Sequence, residues 1–224
     1  MGELRQRLSG DIPLFAVNPG GPGLTVGDAL ARHTDAALFI DCERTAIGIS
    51  EAAQMARAAR AAGLTTLLRT ETDAAGDIVR YLDCRIDALV VPQVESAAQC
   101  GALGQILAIH AATAPRTALI AQIESVAGHE ALDAIATHPC VDTVLIGPND
   151  LAASMEHPGQ PDHPEVKAAV NDIAARLLAH NMPFGLPVTR DTARDWQARG
   201  ARLFYIPLAQ ILTAGLPFWR TEIQ

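Results

Sequence analysis

The sequence predicts a (β/α)₈ barrel, and three features of the chain lead to that prediction. Eight short apolar runs recur along 224 residues, and several of them, such as ALFID, ALVVP and TVLIG, are apolar without alternation. Continuous apolar character is typical of parallel strands that are buried on both faces. Alanine-rich segments with apolar residues every three or four positions separate these runs and predict helices. Strands and helices that alternate in this number favour a closed parallel sheet.

The predicted strands are spaced along the whole chain. They are Pro13–Val17, Ala36–Asp41, Thr65–Arg69, Asp87–Pro92, Thr117–Ile123, Thr143–Ile146, Phe184–Val188 and Leu203–Ile206. The clearest helices are predicted at Ile49–Ala62, Ser96–Ala112 and Pro164–His180. A doubly wound open sheet is the alternative, but no G-x-G-x-x-G or P-loop pattern follows any strand. We therefore interpret the glycine-rich segment Asn18–Gly23 as a flexible loop after the first strand.

Composition limits the classes of function. With 49% hydrophobic residues the chain can bury a large core, and we expect one domain over residues 1–224. A net charge of −8, with Lys167 as its one lysine, argues against nucleic acid as a partner. The four cysteines lack C-x-x-C spacing, and neither a signal peptide nor a membrane span is recognisable. We expect a cytoplasmic protein without a membrane partner.

Polar residues follow the predicted strands at the ends where a barrel builds its active site. They are Asp41, Glu43 and Arg44 at the end of strand two and just past it, Arg69 at the end of strand three, Gln122 and Glu124 at the end of strand five and just past it, and Gly147, Pro148, Asn149 and Asp150 after strand six. Because the carboxyl ends of parallel strands meet at one face, we expect these groups to converge.

Glu124 and Asp150 are candidate metal ligands, since two neighbouring carboxylates repel unless a cation lies between them. Ions of the Mg²⁺ or Mn²⁺ type prefer such oxygen ligands and leave positions free for substrate. Alternatively, one of the two acids pairs with Arg69. The guanidinium of Arg69 suits a substrate carboxylate, or it is a structural partner of Glu43 or Glu71. Backbone amides from Gly147 to Asp150 offer a second anion cradle. Together these groups describe a site for a small 2-keto acid.

The segments AQIES and IGPNDLAASM, followed by HPEV, resemble the HpcH/HpaI aldolase (2-keto-3-deoxy acid aldolase) family, which is related to the citrate lyase β-subunit group. LFIDCER, LLRT and VVPQVESA resemble the family's segments at strands two, three and four. The resemblance runs in order from about Leu14 to Leu212, and the Q-I-E and G-P-x-D-L motifs are its specific part.

The resemblance implies a role for each candidate residue. Glu124 and Asp150 would bind Mg²⁺, Mn²⁺ or Co²⁺, and Gln122 would contact the substrate or a water on the metal. Arg69 would stabilise the enolate oxygen of a pyruvate-type intermediate. Asp41 and Glu43 would organise water around the metal. It also implies a homo-oligomer, a hexamer or trimer, in which C-terminal helices are exchanged. The corresponding segment here is Ala209–Ile223, which carries Phe218 and Trp219 and could equally pack on its own barrel.

Two departures from the family pattern affect the expected reaction. The family's D-x-E-H segment, with its acid/base histidine, reads Asp41-Cys42-Glu43-Arg44 here. Arginine cannot shuttle protons near neutral pH, because its pKa lies above about 12. The family's G-x-R-G loop is also missing between Gln93 and Arg116. Part of the substrate-binding wall is therefore absent or supplied differently.

Without the histidine, cleavage of an aldol lacks a base for the substrate hydroxyl, whereas decarboxylation of a β-keto acid needs none at first. Arg44 could bind a second substrate carboxylate, and His157 could replace the histidine if it is not simply a solvated loop residue. The prediction is a metal-dependent carbon–carbon lyase, an aldolase or decarboxylase, acting on a small 2-keto acid. The alternatives are a member that binds keto acid and metal without turnover, and an acyl-CoA lyase of the citrate lyase β type.

Overall fold

The computed structural model describes residues 3–221, with side chains from residue 4 to residue 218, and its centre is a closed barrel of eight parallel strands. The strands are β1 (Leu14–Asn18), β2 (Ala36–Asp41), β3 (Thr65–Arg69), β4 (Ala88–Val91), β5 (Ala118–Ile123), β6 (Val141–Ile146), β7 (Phe184–Pro187) and β8 (Leu203–Pro207). Each strand pairs with the next, and β8 pairs with β1 from Leu14 opposite Leu203 to Asn18 opposite Pro207. This closure confirms the (β/α)₈ barrel and rejects the open sheet.

Helices follow every strand and cover the outside of the barrel. They are α1 (Glu3–Leu8), α2 (Leu24–Leu30), α3 (Ile49–Ala61), α4 (Ala75–Leu82), α5 (Ala97–His110), α6 (Val126–Glu130), α7 (Leu132–Ala136), α8 (Pro148–Ser154), α9 (Pro164–Ala179), α10 (Ala193–Ala198) and α11 (Leu208–Thr221). Of the predicted C-terminal helix Ala209–Ile223, the last two residues lie outside the described range, as does the Trp219 side chain. Within residues 3–221, no helix has the length and apolar character needed to cross a bilayer.

The core has two layers, which follow from the alternation of side chains along each strand. One face of each strand packs against the helices, as Leu38 and Ile40 of β2 do. The other face fills the barrel interior, where Phe39 and Leu67 lie with Leu14 in a separate apolar cluster. This second cluster is the packed interior that a barrel of eight strands requires.

Helix α1 precedes the first strand and was not among the predicted helices. Its Leu4 and Leu8 are buried in the interior cluster beside Leu14, so α1 closes the amino-terminal end of the barrel. At the opposite end of the barrel, where the strands end, the inward-facing side chains are polar.

Candidate active site

The interior face of the barrel changes from apolar to polar toward the carboxyl ends of the strands. Along β5, Ala118 and Ile120 belong to the apolar interior, whereas the next two residues on that face are Gln122 and Glu124. Phe39 is followed in the same way by Asp41. The polar side chains of the site therefore occupy the one or two inward-facing positions that follow the apolar interior residues on these strands.

The polar groups surround a pocket of about 250 Å³ at this end of the barrel. It is lined by Arg44, Arg69, Gln122, Glu124, Leu145, Ile146, Gly147, Pro148, Asn149, Asp150, Pro187 and Tyr205. Eight of the ten residues predicted for the site thus line one pocket. The remaining two, Asp41 and Glu43, contact Arg69 in its wall.

Arg69 is held by two carboxylates. Its Nε and Nη2 atoms donate to the two oxygens of Asp41 at 3.0 and 2.7 Å, and Nε lies 3.0 Å from Glu43 Oε2. Both Arg69 and Asp41 are buried, so this ion pair fixes the guanidinium at the pocket wall. The predicted partnership of Arg69 with Glu43 is present, whereas Glu71 accepts a hydrogen bond from the Tyr81 hydroxyl instead. Asp41 therefore anchors the arginine.

Two site residues, Asn18 and Tyr205, were missed by sequence reasoning. Asn18 Nδ2 donates to Asp41 Oδ2 at 3.1 Å and to the hydroxyl of Tyr205 at 2.7 Å. Burial raises the pKa of the Tyr205 phenol. Asn18 ends β1 and Tyr205 lies in the middle of β8, each on the inward face two positions beyond an apolar interior residue, Ala16 and Leu203 respectively. That alternation was the signal that could have identified them.

Glu124 is a buried carboxylate with few compensating partners. Gln122 Nε2 donates a short hydrogen bond to its Oε2, and the backbone N–H of Gln93 donates to Oε1 at 3.0 Å. Burial raises the pKa of Glu124 to about 7, and these two hydrogen bonds offset only part of that effect. The negative charges of Asp150 and Glu43 raise it further. The Glu124 anion lacks a cation partner among the described residues.

Gly147 permits the close approach of the β6 end to Glu124. A Cβ atom at position 147 would lie 2.6 Å from Glu124 Oε2 and 2.8 Å from Glu124 Cβ, which is closer than van der Waals contact allows. The glycine is therefore required by packing. It brings the start of α8, with Asn149 and Asp150, to the Glu124 side of the pocket.

Asp150 is engaged by Arg44. The Nη2 atom of Arg44 lies 2.6 Å from both carboxylate oxygens of Asp150, although 54% of the Arg44 side chain is exposed. The predicted pairing of an acid of this site with Arg69 is thus replaced by pairing with Arg44. An exposed guanidinium can leave its partner at small energetic cost, because water solvates both charges.

The predicted anion cradle of backbone amides is smaller than expected. The N–H of Gly147 donates to Ile123 O at 2.9 Å, and Pro148 has no N–H. Only Asn149 and Asp150 retain free amides at the start of α8, which is seven residues long. Gly147 and Pro148 therefore line the pocket without offering a backbone donor to it.

His157 and the connection after β4 do not make up for the two departures from the family pattern. His157 hydrogen-bonds with Glu165 and does not line the pocket. The connection after β4 is short, because α5 begins at Ala97 with Ser96 as its cap, and its side chains do not enter the lining either. The wall that the G-x-R-G loop would form is therefore not replaced by this connection.

The donor set and its charge suit a divalent cation. The carboxylates of Asp41, Glu43 and Asp150 pair with the guanidinium groups of Arg44 and Arg69, and Glu124 adds a fourth carboxylate, which leaves two negative charges when all are ionised. Gln122 Oε1 is buried without a hydrogen-bond partner beside Glu124. Carboxylate and amide oxygens are the ligands that hard divalent ions prefer. The residues present therefore offer a donor set of the kind that a divalent metal ion prefers.

Comparisons with known proteins agree with this geometry. The chain is 30% identical to a hydroxypyruvate/pyruvate aldolase of Sagittula stellata in an alignment of 210 residues that covers 80% of this chain and 81% of the other. It is 38% identical over 138 residues to a pyruvate aldolase of Rhizobium etli, covering 51% of this chain and 54% of that one.

A solved structure and a family profile point the same way. A crystal structure of an HpcH/HpaI aldolase/citrate lyase family protein from Burkholderia cenocepacia superposes with a TM-score of 0.88 at 25% identity, over 100% of this chain and 99% of the other. The profile of the HpcH/HpaI aldolase/citrate lyase family matches residues 27–198, more than half of the chain. On this fold, sequence and strand-end arrangement, the chain belongs to the HpcH/HpaI aldolase/citrate lyase family.

Proposed function

We propose that the protein is a divalent-metal-dependent carbon–carbon lyase that acts on a small 2-keto acid through a pyruvate-type enolate. The observation that supports this most strongly is the uncompensated Glu124 carboxylate, whose pKa is raised to about 7 in a pocket that also holds Asp150 and Arg69. Such a group is costly to bury unless a cation binds beside it. The names of the Sagittula and Rhizobium relatives support a pyruvate-type substrate.

The proposal gives a role to each charged or amide side chain of the pocket discussed below. Glu124 and Asp150 would hold Mg²⁺, Mn²⁺ or Co²⁺, with Gln122 contacting the substrate beside them. When bound, the ion supplies Lewis-acid chemistry, which polarises the keto group and stabilises negative charge on its oxygen. Arg69, fixed by Asp41 and Glu43, presents a positive charge to the oxygen on which enolate charge develops.

The absence of an imidazole in the lining favours decarboxylation over aldol cleavage. Cleavage of an aldol requires removal of the substrate hydroxyl proton, and the described lining residues include no histidine to accept it. A β-keto acid loses CO₂ without that proton transfer, and the resulting charge is stabilised by the same groups. Arg44, once released from Asp150, is positioned to pair with the second carboxylate of a dicarboxylic substrate.

The proposal is tested by assaying the protein with Mn²⁺ against oxaloacetate and against a panel of 4-hydroxy-2-keto acids. We expect Mn²⁺-dependent release of CO₂ and pyruvate from oxaloacetate, reduced at least a hundredfold in Glu124→Gln. Glu95→Gln, which changes an exposed acid outside the pocket, should keep full activity. Absence of turnover on every substrate by well-folded, Mn²⁺-loaded protein would contradict the proposal.

A second candidate function is binding of metal and keto acid without turnover. It is favoured by Arg44, which stands where the family resemblance implies an acid/base histidine. In that case Mn²⁺ and oxalate bind the pocket, as calorimetry would show, while no product forms. An acyl-CoA lyase has less support, because the 250 Å³ pocket is small for a nucleotide and the Asn18–Gly23 loop adds no residue to its lining.

We also propose that the protein assembles with copies of itself through α11, as a trimer or hexamer. Ile211, Leu212 and Leu216 on this helix are 41%, 56% and 56% exposed in the single chain. Neighbouring exposed leucines on one helix are characteristic of an interaction surface. A second copy is the partner that the family resemblance suggests, with exchanged C-terminal helices.

A cytoplasmic location completes the proposal. Cys42, Cys84, Cys100 and Cys140 are all free thiols, and three of them are buried. Free cysteines in the core are common in proteins of reducing compartments.

A further inference from the structure

A cluster of three potential metal ligands lies outside the pocket, in the connection between α8 and α9. It consists of His157, His163 and Glu165, each of which offers one ligand atom within 4.8 Å of the others. His157 Nε2 lies 3.0 Å from Glu165 Oε2, and the two imidazole rings stack with their centroids 3.6 Å apart. None of these residues lines the keto-acid pocket.

The backbone holds the cluster in place through a series of turns. The N–H of His157 donates to Ala152 O at 2.8 Å, and that of His163 donates to Gln160 O at 3.0 Å. Gly159, with a φ of +74°, allows the chain to turn between the two histidines. His163 then caps α9, and Glu165 stands in the first turn of that helix. The three side chains are therefore carried by a fixed loop and a helix of 16 residues.

One atom of the cluster has no partner within the protein. His163 Nδ1 is buried and makes no hydrogen bond. A buried ring nitrogen without a partner costs free energy, whereas the His157 ring is occupied by the carboxylate of Glu165. The arrangement combines two imidazoles, one carboxylate and an unsatisfied nitrogen.

We propose that His157, His163 and Glu165 form a second metal site, for a transition-metal ion of the Zn²⁺ class. Two histidines and one glutamate are a ligand set that binds Zn²⁺ tetrahedrally, with water as the fourth ligand. Imidazole nitrogen favours Zn²⁺ over Mg²⁺, which prefers oxygen. The bound ion would tie the loop after α8 to the start of α9 and so brace the segment that follows Asp150.

A second group of histidines on the surface provides a contrast. His129 and His180 lie at 2.7 and 2.9 Å from Asp172 and Asp133, but Arg176 pairs with both of these aspartates. The guanidinium already supplies the positive charge there. The cluster at His157 has no such arginine or lysine partner among the ion pairs of the described residues.

Ligation by both imidazoles requires one small movement. The rings are inclined at 21° with centroids 3.6 Å apart, so their in-plane lone pairs lie in two separate, nearly parallel planes. One ring must turn out of the stack before both nitrogens can face one ion. The His157 side chain is 23% exposed at the surface of the loop, which leaves room for that rotation.

The test is a calorimetric titration of metal-free protein with ZnCl₂ in excess Mg²⁺, which fills the oxygen-rich pocket. We expect one Zn²⁺ per chain, with affinity reduced at least tenfold in His163→Ala and in His157→Ala. His33→Ala, at an exposed turn after α2, is the matched control and should bind as the parent does. Circular dichroism of each metal-free variant establishes that it is folded.

X-ray absorption at the zinc edge identifies the ligands independently. Imidazole scattering with only nitrogen and oxygen neighbours would support the site. Sulfur in the coordination shell would overturn it, because Cys140 beside His138 would then be the ligand. Absence of zinc binding, or unchanged affinity in the His163→Ala variant, would overturn it equally. Since His157 and His163 do not line the carboxylate pocket, an effect of their variants on Zn²⁺ affinity is separate from the proposed lyase function.

Discussion

At the scale of single residues, the site depends on Glu124, a carboxylate whose ionised form costs free energy to bury. Glu124 is buried at 1% exposure, and its pKa of about 7 contrasts with an ordinary value of 4.5. Between pH 4.5 and about pH 7, Glu124 is protonated in a larger fraction of native molecules than of unfolded molecules. The free energy of unfolding of the metal-free protein must therefore decrease as the pH rises through that range.

Replacing Glu124 by glutamine should remove this dependence. The pKa difference corresponds to up to about 3 kcal/mol of stability lost between pH 4.5 and pH 7. We expect urea unfolding in the presence of a chelator to show Glu124→Gln gaining stability relative to the parent as the pH rises. The exposed Glu95→Gln should follow the parent at every pH. A constant difference between parent and Glu124→Gln across the range would argue against the raised pKa.

Arg44 stands where the family resemblance led us to expect a histidine. Its guanidinium lies on both oxygens of Asp150, so a metal ion that uses Asp150 must compete with an internal cation. Arg44→Gln should therefore increase Mn²⁺ affinity by about two- to fivefold, the range expected for loss of an exposed ion pair. Isothermal titration with Mn²⁺ measures this directly.

The matched control for that titration is Arg80→Gln, which removes another exposed arginine, one paired with Asp77. It should leave Mn²⁺ affinity unchanged. If Arg44→Gln binds Mn²⁺ with the same affinity as the parent, or more weakly, Arg44 and the metal do not share Asp150. In the assay, Arg44→Gln should also raise the KM for oxaloacetate more than that for any monocarboxylic substrate.

Residue patterns predicted the acids and arginines of the site but missed Asn18 and Tyr205. Charged groups directly after apolar runs stand out in a sequence, because burial of a charge needs a reason. An asparagine in a glycine-rich loop and a tyrosine within a strand are ordinary at such positions. The register of the inward-facing residues identifies them, and that register becomes certain only once the barrel is closed.

At the scale of elements, the strands were predicted almost to the residue. Their continuous apolar sequences reflect burial on both faces, which the barrel confirms. The start of β6 was placed two residues late, at Thr143, because Asp142 interrupts the apolar run. In the structure Asp142 is buried and accepts hydrogen bonds from Arg116 and the Leu119 N–H. Helix α1 was missed because six residues are too few for a clear helical period.

The junction between β6 and α8 is the element that brings the two proposed metal ligands together. Gly147→Ala should destabilise the protein by about 1–3 kcal/mol, since the added Cβ would overlap Glu124. It should also weaken Mn²⁺ binding at least tenfold by displacing the Glu124 carboxylate. Chemical denaturation and calorimetry measure the two effects.

Gly76→Ala is the matched control for this substitution. A Cβ at position 76 meets nothing within 4 Å, and the residue lies in helix α4, so alanine should be neutral or stabilising by up to about 1 kcal/mol. Unchanged stability and Mn²⁺ affinity in Gly147→Ala would contradict the packing requirement at the junction.

At the scale of the whole molecule, α11 exposes neighbouring apolar side chains in the single chain. Substituting Leu212 and Leu216 together by aspartate should shift the protein from an oligomer to a monomer, because the charges would have to be buried between copies. Sedimentation velocity measures the change. The same substitution at Ile109, which is 76% exposed on α5, should leave the assembly intact.

A parent protein that sediments as a monomer would contradict the proposed assembly. So would an oligomer that survives the double substitution on α11. The sequence alone could not settle this point, because a C-terminal amphipathic helix packs equally well on its own barrel or on a neighbouring one.

The central claim is that Glu124 and Asp150 bind one divalent ion that presents a keto acid to Arg69. A crystal structure with Mn²⁺ and oxalate, a mimic of the pyruvate enolate, tests it most directly. The account predicts one anomalous manganese peak with oxygen ligands from Glu124 and Asp150, oxalate within reach of Arg69, and Arg44 turned away from Asp150. Manganese elsewhere, or oxalate bound in the pocket while Arg44 still pairs with Asp150 and no ion touches Glu124, would contradict it.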